Sequence, residues 1–477
     1  MAIDQSAAAF SDRAGSGVTG TIPRPAAPRP LPKRAGLLAL LKALRVNPIT
    51  SFAENAYREP IIDVGLFRSM LLVNDPEEIE HVLVGNAGNY RKSLQQQRRL
   101  RPALGDGLLT AEGDAWRSTR RVAAPLFNPK AIGLLLDDMQ AAAEAMRQRW
   151  LERSDPSDPV DIAAEFQRLT YEIVSATIFS GELDADRARI HANMAIYFES
   201  FGRIDLMSLL DLPLWLPTPA ALRAWPAIKV FRAIVDRVVT RRARSGDREA
   251  ADLLDRLMFA PDPKTGATLT TTAVADNVLT FLAAGHETTG NALSWILYLL
   301  AQHPQVTEAV IAELASAGAA GLRERAQFDR MTYTRAVIDE ALRLYPPAPF
   351  IGREAIGQDQ VGGRPVRAGT QILISPWLVH RHRRLWDEPD LFRPERFLPN
   401  ERDKIPRGAF IPFGMGPRTC IGEGFAVQEM LIVLSVILPA FSFTLADPDA
   451  VFPEAHITLR ARGGLPMIIK TREARAS

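Results

Sequence analysis

The single cysteine of the chain lies in a setting that suits a metal ligand. Cys420 belongs to the glycine-rich segment FGMGPRTCIG at residues 413–422, and an apolar stretch of helical periodicity, Phe425 to Leu438, follows it. A thiolate must be stabilised before it binds a metal, and both the positive end of a helix and free N–H groups in a tight loop stabilise it. An isolated cysteine is more often a small buried hydrophobe, so from Cys420 alone that interpretation stays open.

A second group of polar residues lies within an apolar helical segment. Residues 273–303 have helical periodicity, and the sequence AGHETTG at residues 284–290 interrupts their apolar character. Gly285 weakens the helix, and the hydroxyls of Thr288 and Thr289 compete for carbonyls one turn earlier, which predicts a local kink with room for a small ligand. A polar patch on the surface of an amphipathic helix is the alternative.

Both segments resemble motifs of the cytochromes P-450, the heme-thiolate monooxygenases, in their soluble bacterial form. The motif Phe-x-x-Gly-x-Arg-x-Cys-x-Gly is matched by Phe413, Gly416, Arg418, Cys420 and Gly422. The oxygen-activation motif Ala-Gly-x-Glu/Asp-Thr-Thr is matched by residues 284–289. The resemblance implies that Cys420 is the proximal ligand of a heme b iron, where thiolate donation favours O–O cleavage.

The resemblance also assigns roles within the helical motif. It implies that Glu287 feeds protons and that Thr288 hydrogen-bonds the oxygen being activated, and an acid beside a hydroxyl suits proton delivery. His286 stands at the variable position of the motif and receives no role. A second axial ligand at that position would block oxygen.

Arginines are natural partners for the two heme carboxylates, because a planar guanidinium can donate two parallel hydrogen bonds to one carboxylate. Considered alone, Trp116 or Arg120 would be a packed aromatic or a solvated charge. The resemblance implies cofactor contacts for Trp116, Arg120, Ala284, Gly285, Arg353, Phe413, Gly414, Arg418, Cys420 and Gly422.

A third pair of segments resembles the part of the family that forms a structural triad of charged residues. Glu340 and Arg343 share one face of a helical stretch, which alone is most often an exposed ion pair of little worth. The segment FRPERF at residues 392–397 follows, and the combination resembles the Glu-x-x-Arg helix and meander of the family. The resemblance implies that Arg396 completes a buried triad that is structural and not catalytic.

By the same resemblance, mostly apolar segments contact a small hydrophobic or amphipathic substrate. These segments are Leu100–Leu109, Phe198–Leu209, Ala283 with Ala284, Pro349–Ile351 and His456–Thr458. Arg98, Arg99 and Arg101 are candidates for anchoring a substrate carboxylate, although a solvated basic loop is the more frequent explanation.

The expected reaction inserts one oxygen atom of O2 into that substrate, with electrons from NAD(P)H. One cysteine cannot build an iron–sulfur cluster that needs four cysteine ligands, and no flavin motif is present, so a separate ferredoxin and its reductase are the expected partners. Arg117 and Arg121 are candidates for meeting an acidic redox partner. Two alternatives remain: a peroxide-using peroxygenase or isomerase of the same fold, and a heme sensor without turnover.

The rest of the chain must position these groups. Helical periodicity dominates residues 130–303, and strand patterns return at Val361–Ile374 and Ile457–Ile469. The expected fold is mainly α (α+β), the cytochrome P-450 fold, with heme between the long distal helix and the cysteine loop with its proximal helix. Residues 1–34 are expected to form a disordered or loosely docked arm, and residues 35–477 a single domain.

Composition limits the function further. The chain of 477 residues has a net charge of only +2, with 47% hydrophobic and 23% charged residues, which argues against nucleic acid binding. The longest candidate membrane segment, residues 35–46, is too short to span and at most touches a membrane surface. With no apolar signal segment at residues 1–20, we expect a cytoplasmic monomer without a transmembrane anchor.

Overall fold

A computed structural model describes residues 23–32, 35–65, 69–202, 218–245, 252–318 and 325–472. Helices predominate and short strands accompany them, which confirms the predicted mainly α fold with small sheets. The helices, in chain order, are α1 Leu37–Val46, α2 Pro76–Glu80, α3 Leu94–Leu104, α4 Gly113–Ala123, α5 Pro129–Gly133, α6 Leu136–Leu151, α7 Ile162–Phe179, α8 Arg187–Gly202, α9 Pro219–Ser245, α10 Leu253–Phe259, α11 Thr271–Gln302, α12 Pro304–Ser316, α13 Arg325–Phe328, α14 Thr332–Leu344, α15 Pro376–Val379, α16 Pro399–Arg402 and α17 Glu423–Ile437.

The strands are short and form small sheets. In chain order they are β1 Ile61–Asp63, β2 Met70–Val73, β3 Tyr90–Lys92, β4 Val160–Asp161, β5 Ile351–Ala355, β6 Asp359–Val361, β7 Arg364–Val366, β8 Gln371–Ile374, β9 Phe441–Leu445, β10 Pro453–Ala455, β11 Leu459–Ala461 and β12 Pro466–Thr471. The largest sheet has the order β1-β2-β8-β5-β3, with only β2 and β8 parallel. The strand patterns predicted at 361–374 and 457–469 correspond to β7 with β8 and to β11 with β12.

The helix α11 runs through the middle of the core and confirms the predicted distal helix. Most of its residues are buried, and apolar side chains are the majority among them. Thr270 caps its first turn by accepting a hydrogen bond from the N–H of Ala273 at 3.2 Å. The predicted interruption at residues 284–290 does not break the helix, which is continuous there.

Close packing brings α7 and α17 against α11. A Cβ added at Gly290 would lie 3.2 Å from the backbone of Gln167, so a glycine at this position lets α7 approach. The helix α17, which follows the cysteine loop, is apolar and mostly buried and also packs on α6 and α14. The cysteine loop and the distal motif are therefore carried by helices that share one core.

The predicted ion-pair cluster around Glu340 exists. The Arg343 guanidinium donates to both carboxylate oxygens of Glu340, at 2.6 and 2.8 Å, and also to three main-chain carbonyls within residues 380–391. The N–H of Arg393 donates to Glu340 at 2.8 Å, and the Arg396 Nε lies 3.5 Å from the same carboxylate. Glu340 and Arg343 are fully buried, so the cluster joins α14 to the segment before α16 inside the protein.

Hydrogen bonds attach the described part of the predicted N-terminal arm to the core. The N–H of Ala26 donates to the Tyr298 hydroxyl at 3.0 Å, and the Tyr345 hydroxyl donates to the Ala26 carbonyl at 2.8 Å. The N–H of Leu31 donates to the Phe52 carbonyl at 2.9 Å. Residues 1–22 and 33–34 lie outside the described residues, and the division into an arm and one domain stays a prediction.

The segment proposed to touch a membrane surface forms α1. None of its ten residues is buried, and Leu38 is 84% exposed. Among the described residues, no helix combines the length and the apolar character that crossing a membrane requires.

Candidate active site

The loop before α17 presents Cys420 through a set of tight backbone contacts. The N–H of Cys420 donates to the Phe413 carbonyl at 2.8 Å, and the N–H of Thr419 donates to the Gly416 carbonyl at 3.0 Å. Gly416 has φ +75°, and a Cβ there would lie 2.0 Å from the Leu83 carbonyl oxygen. Only glycine fits this position, so the loop conformation follows directly from the sequence.

The Cys420 side chain is accessible, yet the surrounding protein desolvates its thiol. Burial raises the pKa of the thiol, and the nearby Glu423 carboxylate adds to that rise. The Gly422 N–H and the Arg120 guanidinium favour the thiolate and lower the pKa. A reachable sulfur, with a donor and a cation directed at its charged form, has the properties of a metal ligand.

A basic cluster lies beside this loop and contains three of the arginines that were expected to bind the cofactor. The Arg418 guanidinium stacks 4.0 Å from the centre of the Trp116 ring, donates to the Ala111 carbonyl at 2.8 Å and pairs with Glu112. Burial and the Arg418 charge lower the pKa of Arg353 to about 10.

Arg120, from α4, holds the cysteine loop directly. Its guanidinium donates to the Thr419 carbonyl at 3.0 Å, next to the ligand position. The sequence expectation for Trp116, Arg120, Arg353 and Arg418 as cofactor contacts stays a prediction, but the fold does gather these residues near Cys420.

Lys92 belongs to the same cluster and was missed by the sequence analysis. Its side chain is buried, and burial together with the charges of Arg353 and Arg418 lowers the pKa of its ammonium group to about 7, against the opposing charge of Glu112. The reason for its position is strand register, because Lys92 on β3 stands opposite Arg353 on β5. A single lysine in a short strand carries no signal of this kind in the sequence.

The charge of the cluster tests whether heme fits. Lys92, Arg353 and Arg418 bring three cations together, and Glu112 is the carboxylate that acts on all of them. The cluster therefore holds more positive charge than its own acid compensates, which suits a ligand with two carboxylates. With the accessible thiol of Cys420 beside it, this set of donors fits a heme.

On the distal side, the motif residues of α11 make well-defined contacts. The Thr288 hydroxyl donates to the Ala284 carbonyl at 2.6 Å, one turn earlier, as the sequence predicted. A Cβ added at Gly285 would lie 3.0 Å from the Val174 side chain, so a glycine at this position lets α7 pack closely against α11. The His286 ring is buried and its Nδ1 lies 2.8 Å from the Leu282 carbonyl oxygen.

Glu287 is buried among apolar groups and takes one hydrogen bond. The Thr458 hydroxyl donates to its Oε1 at 2.7 Å, while Oε2 has no hydrogen-bond partner among the described residues. Burial raises the pKa of Glu287 to about 7, and the Thr458 hydrogen bond and the Arg460 charge limit that rise. A carboxyl with this pKa exchanges its proton readily at neutral pH.

A mostly apolar cavity of about 550 Å3 reaches several of the segments expected to contact substrate. Leu100, Phe350, His456 and Ile457 line it, together with apolar residues of α1 and β2. Residues 203–209 of the expected segment Phe198–Leu209 lie outside the described residues. Phe198 itself is buried.

Several charged residues differ from expectation. Arg121 binds the buried carboxylate of Asp262 through two hydrogen bonds of 2.6 and 2.7 Å, so it is not free for a redox partner. Arg117 is exposed and pairs with its neighbour Asp114. Arg101 pairs with Asp106 at 2.8 Å, which weakens its case as a substrate anchor, whereas Arg99 lines the cavity.

A mainly α fold with a reachable cysteine thiol before one helix, and an acid–alcohol pair on another helix of the same core, fits the class of heme-thiolate proteins. The family model for cytochrome P450 matches residues 30–463, so the chain belongs to the cytochrome P450 family. It is accordingly a cytochrome P450 oxidoreductase, in a family that uses heme, O2 and a redox partner.

The curated relatives agree over nearly the whole chain. Cyclooctatin synthase of Streptomyces melanosporofaciens is 32% identical over 408 residues, which cover 85% of this chain and 87% of the relative. Cyclooctat-9-en-7-ol 5-monooxygenase of the same organism is 32% identical over 457 residues, covering 92% and 95%. A putative cytochrome P450 132 of Mycobacterium tuberculosis is 32% identical over 426 residues, covering 85% and 88%.

Proposed function

We propose that the chain is a monooxygenase that inserts one oxygen atom of O2 into a small, largely apolar substrate. The observation that carries the proposal is the pairing of Glu287 and Thr288 on α11, because a heme-thiolate site that only bound ligands would need neither a proton donor nor a hydroxyl beside it. The accessible Cys420 thiol supports the same function.

The residues on the cysteine side would hold the heme. Cys420 would hold the heme iron, and Lys92, Arg353, Arg418 and Arg120 would bind the carboxylates or support the loop. When bound, the heme supplies the reductive activation of O2. The N–H of Gly422 and the charge of Arg120 favour the thiolate form of Cys420, against the burial that raises the pKa of the thiol, and coordination of the heme iron would complete its deprotonation.

Glu287 and Thr288 would handle protons on the distal side. The Glu287 carboxyl has a pKa of about 7, so it both takes up and releases a proton near neutral pH. The Thr288 hydroxyl directs its proton to the Ala284 carbonyl at 2.6 Å, which leaves its oxygen lone pairs free to accept a hydrogen bond. Thr288 would thus hold a proton-carrying group in place.

The cavity and the relatives support a proposal for the substrate class. Most of the cavity surface is apolar, with leucine the most frequent residue in its lining. One similar protein is named for acting on cyclooctat-9-en-7-ol, a cyclic alkenol. We infer that a cyclic terpenoid hydrocarbon or its alcohol is the substrate class for this chain.

Electrons would come from NAD(P)H through a separate ferredoxin and ferredoxin reductase. The exposed side chain of Arg117 stands on α4, the helix that also carries Arg120 to the cysteine loop. A cation on the helix that contacts the cysteine loop would suit an acidic partner that approaches from that side. The enzyme would act as a monomer in the cytoplasm.

Reconstitution tests this function. The purified holoprotein is titrated with cyclic terpenoids, terpenoid alcohols and hydrophobic acids, and each ligand is scored by the spin-state change in the heme spectrum. Ligands that bind are then incubated with a surrogate ferredoxin, its reductase and NADPH under 18O2. Incorporation of one 18O atom into product supports the proposal.

The alternatives give different results in the same assay. Product formed from hydrogen peroxide but not from NADPH and O2 would identify a peroxygenase. Tight ligand binding with no oxygenated product under either condition would identify a sensor.

A further inference from the structure

We propose that Thr458 is a positioning residue that fixes which oxygen of Glu287 carries the transferable proton. Thr458 belongs to the turn between β10 and β11, far from α11 in sequence, and the family resemblance placed it only within a segment expected to contact substrate. The inference rests on the proposed function, because it concerns the acid of that reaction.

The hydrogen-bond directions of a three-residue chain carry the argument. The Asn291 side-chain Nδ2 donates to the Thr458 hydroxyl oxygen at 3.2 Å, and the Thr458 hydroxyl donates to Glu287 Oε1 at 2.7 Å. An amide nitrogen can only donate, so the Thr458 oxygen accepts from Asn291. Its single proton is therefore directed to Glu287, which must accept at Oε1.

The two oxygens of Glu287 are consequently different. Because Oε1 accepts the Thr458 proton, a proton carried by the carboxyl resides on Oε2. Oε2 is buried and has no hydrogen-bond partner among the described residues. A buried polar atom without a partner is costly, so Oε2 is the atom from which a proton passes to an incoming water or reactant.

The charged and titratable groups around Glu287 come from several elements. Tyr197 on α8 interacts electrostatically with Glu287, and burial raises the pKa of that phenol. Arg460 on β11 lowers the pKa of Glu287, as Thr458 does through its hydrogen bond. His286, the neighbour on α11, is bound to the Leu282 carbonyl, and the His456 ring pairs with Glu454.

The same turn also contacts the cavity. His456 and Ile457, which precede Thr458, line the mostly apolar cavity of about 550 Å3. The Asn291 amide anchors the turn to α11 on its other side. A substrate in this cavity therefore lies against the turn that holds the acid in place.

An infrared titration of the resting holoenzyme tests the inference without turnover. The protonated carboxyl band of Glu287 is assigned by its loss in Glu287→Gln and is followed against pH in each variant. Thr458→Val removes the donor, so the pKa of Glu287 should rise by about one unit, a tenfold change in the protonated-to-ionised ratio. Thr458→Ser keeps the hydroxyl and should titrate like the wild type.

A matched control separates this role from a general effect of removing a buried hydroxyl. Thr307 is buried and donates to the Leu300 carbonyl at 2.8 Å near the end of α11, so Thr307→Val should leave the Glu287 titration unchanged. The product formed per NADPH should fall severalfold in Thr458→Val and recover in Thr458→Ser. Thr458→Ala, which also lacks the hydroxyl, replaces the valine variant if that protein does not bind heme.

The outcomes distinguish the positioning role from the function itself. A wild-type titration in Thr458→Val and Thr458→Ala, with product yield still reduced in Glu287→Gln, would overturn the role of Thr458 and leave the monooxygenase proposal standing. Full product yield in Glu287→Gln would instead remove the acid from the proposed function.

Discussion

Two buried glutamates of this protein are surrounded in opposite ways. Glu340 accepts hydrogen bonds from Arg343 at both oxygens and from the Arg393 N–H, with Arg396 beside them. Glu287 accepts a single hydrogen bond, from Thr458, and its second oxygen has no partner among the described residues. Both side chains are nearly inaccessible to solvent, so burial alone does not distinguish them.

The difference lies in what each environment does to a proton. A carboxylate held by several donors and two guanidinium groups is fixed in place and ties elements together. A carboxyl in apolar surroundings with one donor has a raised pKa and exchanges a proton near neutrality, as Glu287 does. Between these two glutamates, the acid with a full set of partners is the structural one, and the acid with an unpaired oxygen and a raised pKa is the one suited to proton transfer.

The largest expected effect tests the structural side of this comparison. Glu340→Ala leaves Arg343 buried without its carboxylate, which should lower the free energy of unfolding by roughly 3–5 kcal/mol and abolish heme incorporation. Thermal unfolding and the heme-to-protein absorbance ratio measure both results. Asp114→Ala, which breaks the exposed pair with Arg117, should change neither. A soluble and heme-replete Glu340→Ala protein would contradict the structural assignment.

The next largest effect is on how the free energy of unfolding depends on pH when Glu287 is replaced. Because the folded pKa is raised from 4.5 to about 7, the stability that protonated Glu287 contributes is complete below pH 4.5 and is lost as pH rises through 7. Glu287→Gln does not titrate, so relative to the wild type it should gain roughly 2–3 kcal/mol between about pH 4.5 and about pH 8. Denaturant unfolding at both pH values measures this, and a constant difference would refute the raised pKa.

A smaller effect is expected at the neighbouring hydroxyl. Thr288→Ala should keep heme and substrate binding but lower the product formed per NAD(P)H by about tenfold, corresponding to about 1.4 kcal/mol, with the electrons diverted to hydrogen peroxide. Product and peroxide are quantified in the same reconstituted reaction. Thr289→Ala, one position on, serves as the control variant. Unchanged coupling in Thr288→Ala would remove this residue from the proton path.

The smallest effect extends the comparison to a cation. Lys92 is buried beside Arg353 and Arg418, and the pKa of its ammonium is lowered to about 7. Lys92→Met should therefore leave folding unharmed but speed the loss of heme to an acceptor protein severalfold, by about 1 kcal/mol. Lys42→Met, on α1, where no residue is buried, is the control. Equal heme loss in both variants would mean that Lys92 does not bind the cofactor.

The sequence was most informative where backbone geometry demands a residue type. Gly416 has a positive φ and no room for a Cβ, and Glu287 is an ionisable side chain buried within the long helix α11. Such positions can be recognised in the sequence, because the residue types recur at fixed offsets within a short segment. The two motifs and the pair of Glu340 and Arg343 could therefore be predicted.

The features that escaped prediction depend on contacts between distant segments. Lys92 meets Arg353 through strand register, and Thr458 meets Glu287 across 171 positions. Arg121 binds Asp262 rather than a partner protein, because the loop before α11 folds back on α4. None of these pairings has a signature in local periodicity, since each arises only when the whole chain is assembled.

The attachment of Ala26 to two tyrosines has a consequence for how the protein is made. Its hydrogen bonds to Tyr298 and Tyr345 span 272 and 319 positions, so a ribosome must release most of the chain before either can form. The segment around Ala26 therefore reaches its native contacts late, and contacts of such long range slow the approach to the native state. A fluorescent label beside residue 26 would therefore report the completion of folding during synthesis.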